Sequence, residues 1–201
     1  MSRSARRADG PRLDDMIGEP PATDEPPSID EPIVIPAIGP GGSIYPVGKM
    51  DAHRRGLQHL AVSVFIFSGD EMLIQRRAAG KYHSAGQWAN TCCSHPEWDE
   101  TPAAAARRRL FEELGIDLKL TAGRIIDYRA EVGGGLIENE RVHLFSARTD
   151  RTSLTLAPDP EEVSETRWAS RAALGNEAAA TPDAFAPWFR IYLQRWTELG
   201  L

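Results

Sequence analysis

Cysteine occurs only twice in 201 residues, and the two copies are neighbours, Cys92 and Cys93 in NTCCSHPEW. That spacing is too tight for a disulfide framework and too sparse in sulfur for a zinc knuckle, so the thiols are expected to stay free in a reducing compartment. Apolar runs are short. None nears the roughly 20 residues that span a bilayer, and the basic start MSRSARRADGPRLDD has no apolar segment behind it to act as a secretory signal. A soluble, cytoplasmic protein with no membrane partner is expected. Concentrated positive charge is missing too: 23 Lys and Arg stand against 29 Asp and Glu, with a formal charge of -6 and no long basic run. A nucleic-acid partner is therefore not expected, and any anionic ligand has to be gripped locally. No internal repeat is present.

What remains suits one ordinary domain with a real core. Nine of the fifteen prolines fall before Lys49, and PPATDEPPSIDEPIVIPAIGP mixes them with acidic residues and little periodic apolar pattern. Such a segment buries too little to offset its ordering entropy. Residues 1 to 45 are read as a flexible proline-rich acidic tail or strap, and 46 to 201 as a single domain.

The domain reads as mixed α and β. LAVSVFIF (60–67) is an apolar, β-branched run of strand length, and EMLIQRR returns across the turn signal SGD. TPAAAARRRLFEELG starts with Thr101 as N-cap and Pro102 at the first helical position, and ends at Gly115. RIIDYRAEV and LIENERVHLFSAR form strands joined through the GGG at 133–135, and VSETRWAS another strand. TPDAFAPWFRIYLQRWTEL predicts an amphipathic helix with Phe185, Trp188, Tyr192 and Trp196 on about one face. Strands around one well-capped internal helix predict an α/β sandwich.

Three patterns carry chemistry. In the strand GLIENERVHLF, Glu138 and Glu140 share a face with Val142 and Leu144. Paired carboxylates beside an apolar row are either a solvated strand face or a pair neutralised by a cation or a shared proton. His53, His59 and His95 could complete a five- or six-coordinate divalent site with them, although a single histidine is ordinarily a surface or capping residue. His83, in a loop, and His143, on the opposite strand face, are left out. On the helix, Glu112 and Glu113 beside Arg109 form either a solvated charged face or a magnesium and diphosphate site.

From Glu100 to Ile116, E-x7-R-R-L-F-E-E-L-G-I resembles the Nudix box, a loop and helix that binds magnesium and a diphosphate. Ser94 stands where the first glycine belongs and Arg109 where hydrolysis requires a glutamate. NTCCSHP, DYRA, ENE and AFAPW, in that order, resemble the type 1 isopentenyl-diphosphate isomerases of that superfamily, over residues 45 to 196. The resemblance implies a Nudix-like sandwich, a mixed β-sheet packed between helices. It implies conversion of isopentenyl diphosphate to dimethylallyl diphosphate, by a monomer or weak homodimer.

By position, the resemblance makes Cys93 and Glu140 the catalytic pair, with Tyr128 assisting and Trp188 over the reacting carbons. His53, His59, His95, Glu138 and Glu140 become ligands of a divalent metal, Mn2+, Zn2+ or Mg2+, and Glu113 a ligand of the diphosphate-associated Mg2+. Lys49, Arg77, Lys81 and Arg109 become diphosphate contacts. Without it, Trp188 reads as a core residue and the cysteines as small hydrophobes. In an extended segment adjacent side chains face opposite ways, so one cysteine can line a pocket and Cys92 would pack. Two other readings compete with the isomerase: a Nudix hydrolase of nucleoside or other diphosphates, and a binding protein that keeps the metal site without turnover.

Overall fold

A computed structural model describes residues 16–20 and 27–201. The helix foreseen from its caps is α2 (Pro102–Leu114). Thr101 Oγ1 accepts from the Ala104 amide at 3.3 Å, and Gly115 closes the helix at φ 68°. A Cβ there would lie 2.7 Å from Ala157 Cβ, so glycine satisfies both the backbone angle and the close approach.

The strands are β1 (Val34–Ile38), β2 (Ile44–Gly48), β3 (His59–Ser68), β4 (Glu71–Arg77), β5 (Trp88–Ala89), β6 (Cys92–Ser94), β7 (Thr121–Gly133), β8 (Leu136–Arg148) and β9 (Val163–Ser170). They form one mixed nine-stranded sheet. β3 lies parallel to β8 and antiparallel to β1, β4 and β6, while β7 and β8 form the hairpin turned by the three glycines. Strand alternation builds two cores. Val62, Val64 and Ile66 of β3 face Ala105, Ala106, Leu110 and Leu114 of α2. Ala61, Phe65 and Phe67 face the other way, into a core shared with Val142, Leu144, Trp188, Phe189 and Tyr192. The sheet is thus packed between helices, as expected.

Two expectations need correction. The tail boundary at residue 45 falls inside a hairpin: β1 and β2 pair from Val34↔Gly48 to Ile38↔Ile44, and Ile35, Ala37 and Val47 are fully buried. The prolines hid this pattern, in which Pro36 stands directly opposite Pro46. Of the expected tail, residues 1–15 and 21–26 lie outside the described residues. The C-terminal segment is also not one helix. A 3-10 turn at Pro182–Ala184 precedes α4 (Pro187–Gln194), and Arg195 leaves helical geometry before α5 (Trp196–Leu199). Phe185, Trp188 and Tyr192 are buried as expected.

Helices α1 (Lys49–Arg55) and α3 (Arg171–Ala180) complete the fold. α1 is held at its start by Glu31, which accepts from the Met50 and Asp51 amides at 2.7 and 3.0 Å. Among the described residues, no helix is long and apolar enough to cross a membrane.

Candidate active site

The parallel register of β3 on β8 sets His59 opposite Glu140, and the β7–β8 register sets Tyr128 opposite the same residue. Directly paired residues share a sheet face, so imidazole, carboxylate and phenol form one transverse row. Ala130 opposite Glu138 begins the next row. The β3–β6 register adds Cys93 opposite Ser63 on this face. Cys92 turns to the α2 side and is fully buried among its apolar residues.

The Tyr128 hydroxyl donates to Glu140 Oε2 at 2.6 Å and its oxygen lies 2.9 Å from Glu138 Oε2. Both carboxylates are buried. Burial and the neighbouring Glu140 charge push Glu138 well above the usual carboxylate range. Burial opposes ionisation of Glu140 as well, but hydrogen bonds from His59 and His95 outweigh it and hold that residue low.

Behind this row the imidazoles converge. His53 Nδ1 lies 2.6 Å from the Lys49 carbonyl and His59 Nδ1 2.8 Å from that of Leu57. A carbonyl only accepts, so each Nδ1 carries a proton and each Nε2 is left to face the cluster. His59 Nε2 is 3.2 Å from His95 Nε2, which is 2.9 Å from Glu140 Oε1, while His53 Nε2 is buried without a partner. Burial lowers His53 to about 4, with help from His59, and pushes His95 well below its ordinary value. Neutral imidazole is the metal-binding form. Candidate ligand atoms of His53, His59, His95 and Glu140 all lie within 4.8 Å of one another. Nitrogen and oxygen atoms gathered this closely in a buried site fit a divalent cation with nitrogen and oxygen preference.

This cluster floors a cleft. Cys93, His95, Tyr128, Glu138, Glu140 and Trp188 line it, and so do Lys49, Arg77, Lys81, Arg109 and Glu113. His53 and His59 sit underneath, fully buried. The cationic end is crowded: burial, then the charges of Lys81, Arg109 and Arg77, depress Lys49 to about 8. Glu113 accepts from Gln75 Nε2 and Arg109 Nη2, both at 2.9 Å. The Cys93 thiol donates to Asn90 Oδ1 at 2.8 Å and sits 3.2 Å from Ser63 Oγ, which reaches the Tyr192 hydroxyl at 2.9 Å. Burial pushes this thiol up, so sulfur holds its proton at neutral pH. Trp188 belongs both to the core and to the cleft, and the Arg77 guanidinium lies 5.3 Å from its ring centre.

Several cleft residues escaped the sequence reading. His83, a loop histidine by sequence, has its Nε2 3.4 Å from Glu138 Oε1 and forms a second candidate metal group with His53 and Glu138. Its carbonyl accepts from Arg77 Nη2 at 3.1 Å, which folds the loop over the site. Tyr82, Ser94 and Glu162 also line the cleft. Asn90 opens the quoted cysteine stretch, and its position two residues before Cys92 was the available signal. His143 takes no part in the candidate metal groups.

A large mixed sheet between helices, with a capped Arg/Glu helix over a polar cleft, defines a fold class before it defines a reaction. The NUDIX domain family model matches residues 57–189, and the chain belongs to that family. Solved structures agree on the fold: DR0079 from Deinococcus radiodurans has a TM-score of 0.65 at 15% identity, covering 81% of this chain and 98% of that one. A MutT protein from Methanosarcina mazei Go1 gives a TM-score of 0.55 at 19% identity, over 70% and 94% of the two chains. Curated relatives narrow the class. Over 158 residues the chain is 54% identical to the isopentenyl-diphosphate Delta-isomerase of Dinoroseobacter shibae, covering 78% of this chain and 89% of that one. It is 47% identical over 159 residues to the protein of that name from Jannaschia sp., covering 79% and 90%.

Proposed function

We infer that this chain converts isopentenyl diphosphate to dimethylallyl diphosphate. The observation that carries the reading is one cleft lined by two unlike sets: the cations Lys49, Arg77, Lys81 and Arg109, and the group Cys93, Glu140, Tyr128 and Trp188. The first set matches a diphosphate. The second matches a proton-transfer reaction on a short hydrocarbon tail.

Moving the double bond requires a proton added at C4 and another removed at C2, through a tertiary carbocation at C3. One of Cys93 and the Glu140–Tyr128 pair supplies the first proton, and the other takes up the second. The Cys93 thiol is fixed by Asn90 and Ser63, and the Glu140 carboxylate by Tyr128 and His95. Trp188 would stabilise the cation through its ring face by about 0.5–2 kcal/mol. His53, His59, His95, Glu138 and Glu140 would hold a divalent ion, Mn2+, Zn2+ or Mg2+, and Glu113 the Mg2+ that accompanies the diphosphate. Such ions supply positive charge that fixes carboxylates and neutralises phosphate oxygens.

Hydrolysis of a diphosphate is the weaker reading. Arg109 occupies the position of the hydrolytic glutamate and is tied to Glu112, Glu113 and Glu162, at 2.8, 2.9 and 3.1 Å, so no carboxylate stands there to activate water. The test is incubation with isopentenyl diphosphate and magnesium in deuterated water, for wild type, Cys93→Ala and Glu140→Gln. Deuterated allylic product from wild type, lost in both variants, is expected. Phosphate release without the allylic isomer would overturn the reading.

A further inference from the structure

Glu162 is a carboxylate set among the cations of the cleft. Its Oε2 pairs with Lys81 Nζ at 2.5 Å and its Oε1 with Arg109 Nη2 at 3.1 Å, and its side chain is 23% exposed. The placement is built into the backbone. The Glu162 carbonyl accepts from the Ala78 amide at 2.9 Å, beside the Lys81 loop, and its amide donates to Asp159 O at 3.0 Å. Asp159 N in turn donates to the Glu113 carbonyl at 3.1 Å, which docks this loop on the end of α2 that carries Arg109. The carboxylate therefore bridges two cations that arrive from different elements.

The donor count of Arg109 makes this contact consequential. Nη2 serves Glu113 and Glu162, Nη1 serves Glu112, and Nε is buried with no partner. A guanidinium has five N–H groups. Phosphate oxygens can gain most from Arg109 and Lys81 by taking over the bonds that Glu162 now accepts.

We propose that Glu162 is the resident counter-anion of the cleft: it holds Lys81 and Arg109 converged in the free protein and is the group an incoming diphosphate displaces. This rests on the reading of the cleft as a diphosphate site. Its consequence runs against the usual effect of removing a binding-site residue. A negative charge next to an anionic ligand competes with it, so neutralising the charge tightens binding, whereas loss of a merely structural contact weakens it. With the pair partly exposed and screened, the gain expected is about three- to tenfold.

Binding of inorganic diphosphate with magnesium chloride is to be measured calorimetrically for wild type, E162Q and E162D. Glu162→Gln keeps the size and one acceptor, and is expected to lower Kd by about three- to tenfold, while Glu162→Asp keeps the charge and shows no gain. Equal or weaker binding by E162Q, with wild type binding diphosphate and turning over isopentenyl diphosphate, overturns the proposal and leaves the isomerase reading standing. Wild type that binds no diphosphate overturns the reading of the site itself. A wild-type crystal soaked with the same salt gives a check that needs no variant: the Glu162 carboxylate is expected turned away from both nitrogens, and its persistence on both beside bound diphosphate would refute the displacement.

Discussion

Replacing Tyr128 by Phe removes one oxygen from the centre of the carboxylate pair and leaves the ring in place. The phenol edge against Tyr192, with ring centres 5.8 Å apart, survives the change, so the perturbation is polar. Lost are the 2.6 Å bond to Glu140 and the 2.9 Å contact with Glu138, both in a buried setting. A hydrogen bond to a charged group contributes about 1.5–3 kcal/mol, and an unsatisfied buried acceptor adds to the loss. Glu138, which favours its protonated form, can recover part of it by donating to its neighbour. A net loss of about 2–4 kcal/mol is expected for the metal-free protein, or about 5–15 °C in Tm for a chain of this size. A divalent ion drawn to Glu138 and Glu140 takes over the role of the missing donor, so the loss should shrink to about 1 kcal/mol with saturating Mn2+. Thermal unfolding of wild type and Tyr128→Phe, each after chelation and again with Mn2+, reads both numbers. Equal depressions of Tm with and without metal would refute the coupling between this hydroxyl and a cation held by the carboxylates.

Other expectations are simpler. Cys93→Ala should abolish deuterium incorporation into product while inorganic diphosphate binds with unchanged Kd, since the thiol's contacts run to Asn90 and Ser63. Leu110→Ala, at a fully buried position between α2 and the sheet, should cost about 2–5 kcal/mol in urea unfolding and leave metal binding intact. Thr101→Ala should cost about 1 kcal/mol by the loss of one cap. Burial disfavours the Glu100 charge, but the bonds from Arg108, at 2.6 and 2.8 Å, win and lower its pKa. A depressed carboxylate contributes stability above its unfolded pKa and loses it as pH falls through the folded one. Glu100→Gln should therefore flatten the acid limb of the stability profile below about pH 4.5, and an unchanged limb would count against the pair.

How much could be read from the chain follows from how local each signal is. α2 was legible because Thr101, Pro102 and Gly115 each act within one turn of its ends, and the β7–β8 hairpin because three glycines mark its turn. β1 was not legible. Its alternation is interrupted by prolines, and that Pro36 meets Pro46 across the pair is a fact of register that no single window contains. The same holds in the site. Glu138 and Glu140 were found from strand periodicity, whereas His83 and Glu162 lie in loops whose place is set by bonds that periodicity does not show, Arg77 to the His83 carbonyl and Ala78 to the Glu162 carbonyl. In sequence they look like solvated loop residues.

The register of β3 on β8 is where local signals become a site. It joins His59 to Glu140 across 81 positions of chain, and β6 adds Cys93 to the same face by pairing at Ser63. Every cleft residue on these strands depends on the parity of that pairing. A slip of one residue on β8 would turn Glu138 and Glu140 toward the apolar face of α2, where no imidazole or phenol meets them, and would bring His143 to the cleft side instead. The apolar neighbours Val142 and Leu144 prevent it, since the same slip would expel them from the core they share with Phe65 and Tyr192. The hydrophobic pattern that selects the fold thereby also selects which carboxylates face His59 and Tyr128, and core packing holds the acid and the thiol on one sheet face.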